Sequence, residues 1–253
     1  MINDTIEKLS GMKLFGMAAE LERQLATPST SDLPFEHRVR SMVDHETTMR
    51  ENKRLQLLLK KARLPDNACI EDIDYRTARS LDKSVMLSLT TLDWIRSAHN
   101  LVLTGPTGTG KTWLSCALAN QACRMGLASF FIRVPALMEN LLAARASGVF
   151  SQRIEQLKKF DLLILDDWGI DTFSKRAQND LLELIDSRLG KKSLIITSQI
   201  PMNLWHDELD NKTIADAVMD RIVHSSYHIQ LAGETMRKMK SPNAKRALKA
   251  AKK

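Results

Sequence analysis

Residues 105–112 carry the strongest signal in this chain, and they read Gly105-Pro106-Thr107-Gly108-Thr109-Gly110-Lys111-Thr112. The stretch matches G-x-x-x-x-G-K-[ST], a loop that cradles polyphosphates, at each fixed position. Its glycines let the chain curl so that several backbone N–H groups point at one anion. A helix that begins near Lys111 adds its positive end. We therefore expect Lys111 to bind the β- and γ-phosphates of a nucleotide and the Thr112 hydroxyl to hold Mg²⁺.

A second motif lies further along the chain and reads Leu162-Leu163-Ile164-Leu165-Asp166-Asp167. A buried apolar strand that ends in two carboxylates is what a nucleoside triphosphatase needs beside its phosphate loop. We expect Asp166 to orient the Mg²⁺ shell and Asp167 to polarise the attacking water.

The choice between ATP and GTP depends on a third motif. Asp166-Asp167-Trp168-Gly169 also satisfies the D-x-x-G pattern of GTPases, which read guanine with N-K-x-D at the end of a strand. Asn211-Lys212-Thr213-Ile214 lacks the aspartate and follows no apolar strand. The sequence therefore predicts ATP, with Mg²⁺, as the ligand.

Short apolar runs alternate with helical stretches after Asn100. The runs are Leu101–Thr104, Ser129–Val134, Leu162–Asp166 and Ser193–Thr197. Strands that alternate with helices predict an α/β fold, a parallel sheet with helices on both faces. The alternation in residues 226–231 predicts a last strand at the edge of that sheet.

The chain is expected to divide into four parts. Residues 1–64 show helical apolar spacing and predict a small all-helical N-terminal domain for DNA or partner binding and oligomerisation. Residues 65–76 mix Pro, Asp and Asn and are interpreted as a linker. Residues 77–240 form the predicted ATPase domain, and residues 241–253 a basic tail.

Positive charge is concentrated in two places. The net charge is +7, and residues 237–253 alone hold eight basic residues and no acidic one. Residues 49–64 hold six basic residues against Glu51. Clustered Lys and Arg favour mostly sequence-independent contact with the phosphates of duplex DNA. The alternative is that both are solvated faces that confer solubility.

Composition excludes several classes of protein. Hydrophobic residues at 43% and charged residues at 26% argue against a disordered or collagen-like chain. No run approaches the roughly 18 apolar residues of a membrane span, and the first residues show no secretory signal. Three cysteines are too few for a disulfide framework and favour a reducing, cytoplasmic setting.

These motifs together resemble AAA+ ATPases, and most closely the DnaC/IstB group of replicative helicase loaders and insertion-sequence transposition helpers. The resemblance covers nearly the whole chain and is carried by Phe160–Gly169, Ser193–Gln199, Asp220–His224 and Gly233–Arg237. The length and the helical N-terminal region are most similar to an IstB-type helper. The resemblance implies an AAA+ phosphate-loop core.

The resemblance also implies catalytic roles. Asp167 would be the base, although many AAA+ members have Glu there. Ser198 is the first choice as γ-phosphate sensor, with Thr197 and Gln199 as competitors. Arg221 would act as an arginine finger on a neighbouring subunit, or else be an exposed helix residue. Arg237 would be a sensor arginine, acting from a short extension because no full lid domain is evident after it.

The implied function is that of an ATPase which assembles on duplex DNA as a homo-oligomer, with ATP between subunits. A transposase partner would recognise the assembled state, and hydrolysis would reset it. Two alternatives are a helicase loader of the DnaC type and a small-molecule kinase with a phosphate loop. No membrane partner is expected.

Overall fold

The computed structural model describes residues 2–76, 79–171 and 173–236, which form two compact units divided between Leu57 and Leu58. The N-terminal unit is helical and contains α1 (Ile2–Gly11), α2 (Phe15–Ala26) and most of α3 (Phe35–Ala62). A Cβ on Gly16 would lie 2.6 Å from the Cα of Glu46, so only glycine lets α2 approach α3 this closely. The Glu46 carboxylate accepts the N–H groups of Gly16 (2.6 Å) and Met17 (3.2 Å), which fixes the first turn of α2.

The second unit is built on a five-stranded sheet in the order β2-β3-β4-β1-β5. Its strands are β1 (Asn100–Thr104), β2 (Ser129–Arg133), β3 (Leu162–Trp168), β4 (Ser193–Ser198) and β5 (Ser226–Gln230). All neighbouring strands pair in parallel. The predicted parallel sheet and its last edge strand are therefore confirmed, and the carboxyl ends of the strands meet at one edge.

Helices cover both faces of the sheet. They are α4 (Lys83–Thr90), α5 (Asp93–Arg96), α6 (Lys111–Arg124), α7 (Val134–Ala146), α8 (Phe150–Lys158), α9 (Lys175–Arg188) and α10 (Lys212–Val223). Leu162 and Ile164 pack against the first three of these helices, and Leu163 and Leu165 pack against the other four. Because both faces of β1, β3 and β4 are buried, these strands are nearly continuous apolar runs in the sequence, whereas the edge strand β5 is mostly exposed and alternates.

Residues 65–76 differ from the linker that the sequence suggested. Ala68 is fully buried and Ile73 is nearly so, and both belong to the core that α6 forms with the sheet. Since these apolar side chains are withdrawn from water, the segment is part of the second unit. Pro65 and Asp66, two of the residues that suggested a linker, lie at a bend of the chain.

Two of the predictions fall on residues that lie outside the described ranges. They concern Arg237 and the basic tail, residues 241–253. Within residues 2–76, 79–171 and 173–236, no helix combines the length and the apolar character needed to cross a membrane.

Candidate nucleotide-binding site

The predicted phosphate loop joins the carboxyl end of β1 to the start of α6. All of β1 is buried, and α6 begins at Lys111 with Gly110 as its N-cap residue. Gly108 and Gly110 have φ angles of +85° and +97°, a region that side chains disfavour. A Cβ on Gly108 would also collide with the side chain of Thr235. The glycines of the motif are therefore required by the backbone as well as by the approach of an anion.

Lys111 holds its ammonium group inside the loop. The side chain is buried, and Nζ donates to the carbonyl oxygens of Gly105 (2.7 Å) and Pro106 (2.9 Å). A bound polyphosphate offers charged oxygens in place of these neutral acceptors, and hydrogen bonds to charged groups are about twice as strong. The position of Lys111 therefore suits phosphate binding.

Asp166 lies at the centre of a buried hydroxyl–carboxylate cluster. It is 1% exposed, and its carboxylate accepts from the hydroxyls of Thr112 (2.9 Å) and Thr197 (2.6 Å). Burial raises the pKa of Asp166, and the nearby Asp167 carboxylate raises it further, while the two hydroxyls act in the opposite direction. The Thr112 hydroxyl and this carboxylate are hard oxygen donors of the kind that Mg²⁺ takes together with substrate phosphates and water.

The geometry around Asp167 comes from a β-bulge. Leu165 pairs with Ile196 and Trp168 with Ser198, so Asp166 and Asp167 together face Thr197. Asp167 has φ +64°, and its N–H donates to the Thr197 hydroxyl at 3.2 Å. A left-handed non-glycine residue costs about 1–3 kcal/mol and is kept where the surroundings impose it. The bulge redirects the chain, so the two adjacent carboxylates point to different places.

The Asp167 carboxylate is partly exposed and faces the end of the neighbouring strand β2. Its Oδ2 lies 3.5 Å from Nε of Arg133, whose own side chain is 65% exposed. Because the exposed guanidinium is hydrated, this is a weak, screened interaction. The Asp167 carboxylate can therefore exchange Arg133 for another partner.

The three sensor candidates at the end of β4 have different environments. The Thr197 hydroxyl contacts Asp166. The Ser198 hydroxyl is fully buried, donates to the carbonyl of Trp168 (2.8 Å) and accepts the N–H of Ile200 (3.0 Å). Gln199 is exposed and accepts a hydrogen bond from Thr107 of the phosphate loop at 2.5 Å. The structure thus brings Gln199 to the loop, and the position of Ser198 lends no support to its predicted role.

Arg221 lies at the opposite end of the sheet from the phosphate loop. Its carbonyl accepts from the Ser225 hydroxyl, and Ser225 in turn bonds Asn100, the first residue of β1. The loop begins after Thr104, the last residue of β1. At about 3.3 Å per residue the strand separates the two by roughly 15 Å. Arg221 pairs with Asp186 on α9 and does not reach the loop of its own chain.

Sequence reasoning missed two contacts of the site, Thr197 with Asp166 and Arg133 with Asp167. Arg133 is the last residue of β2 and Thr197 the last but one of β4, the two strands that flank β3. Side chains at the carboxyl ends of parallel strands converge. The strand order, which supplies this information, is absent from the sequence motifs. No group of three or more His, Cys, Asp or Glu residues among the described part of the chain is arranged to hold a metal ion by itself.

The chain is similar in sequence to ATP-binding proteins of insertion sequences. The family model for IstB-like ATP binding proteins matches residues 7–244. A protein named as an ATP-binding protein of insertion sequence IS1162 in Pseudomonas fluorescens is 46% identical over 202 residues, which are 79% of this chain and 87% of that protein. The insertion-sequence ATP-binding protein y4pL of Sinorhizobium fredii is 38% identical over 238 residues, 94% of this chain and 97% of that protein.

Solved structures show the same fold at lower sequence identity. The crystal structure of DnaI matches with a TM-score of 0.56 and 22% identity, covering 65% of this chain and 91% of that one. Identity this low supports a shared fold alone. The core is therefore an AAA+ phosphate-loop fold, as the sequence predicted.

Proposed function

Since the chain belongs to the IstB-like ATP-binding protein family, we propose that it is an ATP-hydrolysing helper of a DNA transposase. The observation that carries this proposal is the complete phosphate loop beside the Thr112–Asp166–Thr197 cluster. The insertion-sequence names of its relatives support the transposition context. The helicase-loader alternative rests on likeness of fold alone.

Each part of the site has a role in this proposal. The backbone N–H groups of the loop and Lys111 bind the β- and γ-phosphates. Thr112 and Asp166 hold Mg²⁺, which when bound neutralises charge on the phosphates. Asp167 orients the attacking water and accepts its proton. Gln199 is better placed than Ser198 to contact the γ-phosphate, because it already touches Thr107.

The distance of Arg221 from its own loop supports a homo-oligomer with ATP between subunits. An arginine finger supplies a planar cation to the transferring phosphoryl group. Arg221 can do so only for a neighbouring chain, since it lies at the other end of β1. In the oligomer, its ion pair with Asp186 would be exchanged for the neighbour's nucleotide.

Duplex DNA is proposed as the surface on which the oligomer assembles. The basic side chains of residues 49–64 are exposed, and they are Arg50, Lys53, Arg54, Lys60, Lys61 and Arg63. Exposed Lys and Arg bind DNA phosphates without reading bases. We propose that this cluster and the basic tail bind DNA, that the transposase recognises the assembled state, and that hydrolysis resets it.

Electron microscopy of the protein with ATP, ADP or no nucleotide, each with and without duplex DNA, tests the proposal directly. We expect ordered oligomers on DNA only with ATP, and faster ATP hydrolysis when DNA is present. The transposase of the same insertion sequence should bind the ATP and DNA assembly more tightly than the free protein. A protein that neither binds ATP nor changes its assembly with DNA would contradict the proposal.

A further inference from the structure

A buried arginine lies next to the phosphate loop without an ion pair. Arg79 is only 3% exposed. Its Nη2 donates to the carbonyl of Asp74 at 3.1 Å, its Nη1 reaches the carbonyl of Thr109 at a long 3.4 Å, and Nε has no hydrogen-bond partner. Among the described residues no carboxylate forms an ion pair with Arg79. A buried cation with so few acceptors is unfavourable for folding.

The position of Arg79 is fixed from two sides. A Cβ on Gly110 would lie 2.9 Å from Nη1, so the guanidinium packs directly on the peptide between Thr109 and Gly110. The carbonyl of Arg79 accepts the N–H of Ala232 at 3.1 Å. The chain that follows Ala232 also contacts the loop, since the N–H of Met236 donates to the carbonyl of Gly108 at 2.8 Å. Arg79 therefore sits between the loop and the segment that covers it.

A second buried arginine shows what a purely structural role looks like in this protein. Arg188 donates to the carbonyls of Leu157 (2.8 Å), Phe160 (3.0 Å) and Ser193 (2.9 Å). These three short bonds tie α8, α9 and β4 together. Burial lowers the pKa of Arg188 to about 10. Nε has no hydrogen-bond partner in either arginine, so the two differ in the bonds of their Nη groups. Arg79 has two such bonds, at 3.1 and 3.4 Å, and tying segments together therefore explains its burial less well than that of Arg188.

We propose that Arg79 is a further ligand for the phosphate chain of the bound nucleotide, in addition to Lys111. This inference rests on the proposed function. The guanidinium has unused N–H donors and lies on the loop that binds the phosphates. A phosphate would supply a counter-charge in direct contact with the guanidinium, whereas the nearby Asp74 carboxylate forms no ion pair with it. Planar guanidinium groups suit phosphate oxygens well.

Three variants test this assignment: Arg79→Met, Arg79→Lys and the control Arg76→Met. The Arg76 side chain is on the same segment but is 93% exposed. We expect Arg79→Met to weaken binding of ATP and ADP by about 10- to 100-fold, the range for a charge-assisted hydrogen bond, and to leave adenosine binding unchanged. Arg79→Lys should recover part of the affinity, and Arg76→Met should bind as the wild type does.

Thermal unfolding separates this role from a structural one. Without nucleotide, Arg79→Met should have a Tm equal to or above that of the wild type, because it removes a buried charge that forms no ion pair. With ATP, it should show a smaller rise in Tm than the wild type.

Four outcomes would overturn the assignment. The first three concern Arg79→Met: wild-type ATP affinity, a Tm below that of the wild type without nucleotide, or a loss of adenosine binding equal to the loss of ATP binding. The fourth applies if Arg79→Met does not fold, and it is wild-type ATP affinity in Arg79→Lys. If the wild-type protein itself does not bind ATP, the proposed function fails and this inference fails with it. If the wild type binds ATP and Arg79→Met binds it equally tightly, only this inference is overturned and the proposed function stands.

Discussion

The two ends of the parallel sheet are built in different ways. At the amino end, Arg188 bonds three carbonyls, and Asn100 bonds both Ser225 and the N–H of Leu194. At the carboxyl end, Asp167 has a left-handed backbone within β3, and the Arg79 guanidinium donates only two hydrogen bonds, at 3.1 and 3.4 Å. Strain and unsatisfied polar groups are retained where function requires them. The amino end is thus arranged for stability, and the carboxyl end for a ligand that satisfies its groups.

Arg221 provides the strongest test of this difference between the two ends, because it lies at the amino end and is nevertheless proposed to act in catalysis. We expect Arg221→Ala to bind ATP normally and to hydrolyse it about 1000-fold more slowly, the scale of an arginine finger. Steady-state hydrolysis and ATP titration measure the two effects.

Mixing Arg221→Ala with Lys111→Ala shows whether the site is shared between chains. Some interfaces in the mixture pair an intact loop with an intact arginine, so activity should return although each variant alone is inactive. If mixed oligomers form and stay inactive at every ratio, the amino end has no catalytic role and the comparison holds without exception.

The next largest effect on hydrolysis is expected from a substitution of Asp167, at the carboxyl end of the sheet. Asp167→Asn should keep ATP affinity but slow hydrolysis by about 100-fold or more, since it removes the proposed general base. The matched variant at the amino end is Asp161→Asn, because Asp161 pairs with Lys192 and accepts the N–H of Ala128. That variant should lose about 1 kcal/mol of stability and keep its hydrolysis rate. Equal rates for Asp167→Asn and wild type would assign the base to another residue.

The parts of this picture that the sequence predicts are local. The phosphate loop and the Asp166–Asp167 pair are short motifs whose residues are close together in the chain, and β1, β3 and β4 are nearly continuous apolar runs. The bulge at Asp167 depends on how β3 pairs with β4, and no motif encodes that register. The strand therefore continues to Trp168, beyond the end at Asp166 that the apolar run indicated.

The contacts that sequence reasoning missed join residues that are far apart in the chain. Thr197 is 31 residues from Asp166, and Arg79 is 30 residues from Thr109. Arg79 follows a segment interpreted as a linker and belongs to no motif, so only the packing of that segment on the core brings it to the loop. Ser198 is the opposite case, a residue that the sequence suggested as a sensor from its place in a motif. Its hydroxyl is hydrogen-bonded to the carbonyl of Trp168 and the N–H of Ile200.

Arg188 tests the stability of the amino end. Arg188→Met should destabilise the second unit by about 3 kcal/mol or more, because it leaves buried carbonyls without donors. For a unit of this size the Tm should fall by about 6–12 °C. The ATP affinity of the folded protein should not change. Since Arg79→Met is the same substitution at the other end of the sheet, an equal fall in Tm for both variants would remove the distinction between the two ends.

The smallest effects are expected at Ser198 and Gln199, which are adjacent in the chain although the first is buried and the second exposed. Ser198→Ala should lower the Tm, because the carbonyl of Trp168 and the N–H of Ile200 lose a partner, a loss of about 1–3 kcal/mol. Its hydrolysis rate should stay unchanged. Gln199→Ala should leave the Tm unchanged, since the side chain is exposed, and should slow hydrolysis by about fivefold, the worth of one neutral hydrogen bond. Measuring Tm and hydrolysis rate for both variants gives two opposite patterns if the assignment is right. A slower rate at unchanged Tm in Ser198→Ala would restore Ser198 as the sensor and would mean that its hydroxyl leaves Trp168 when ATP binds.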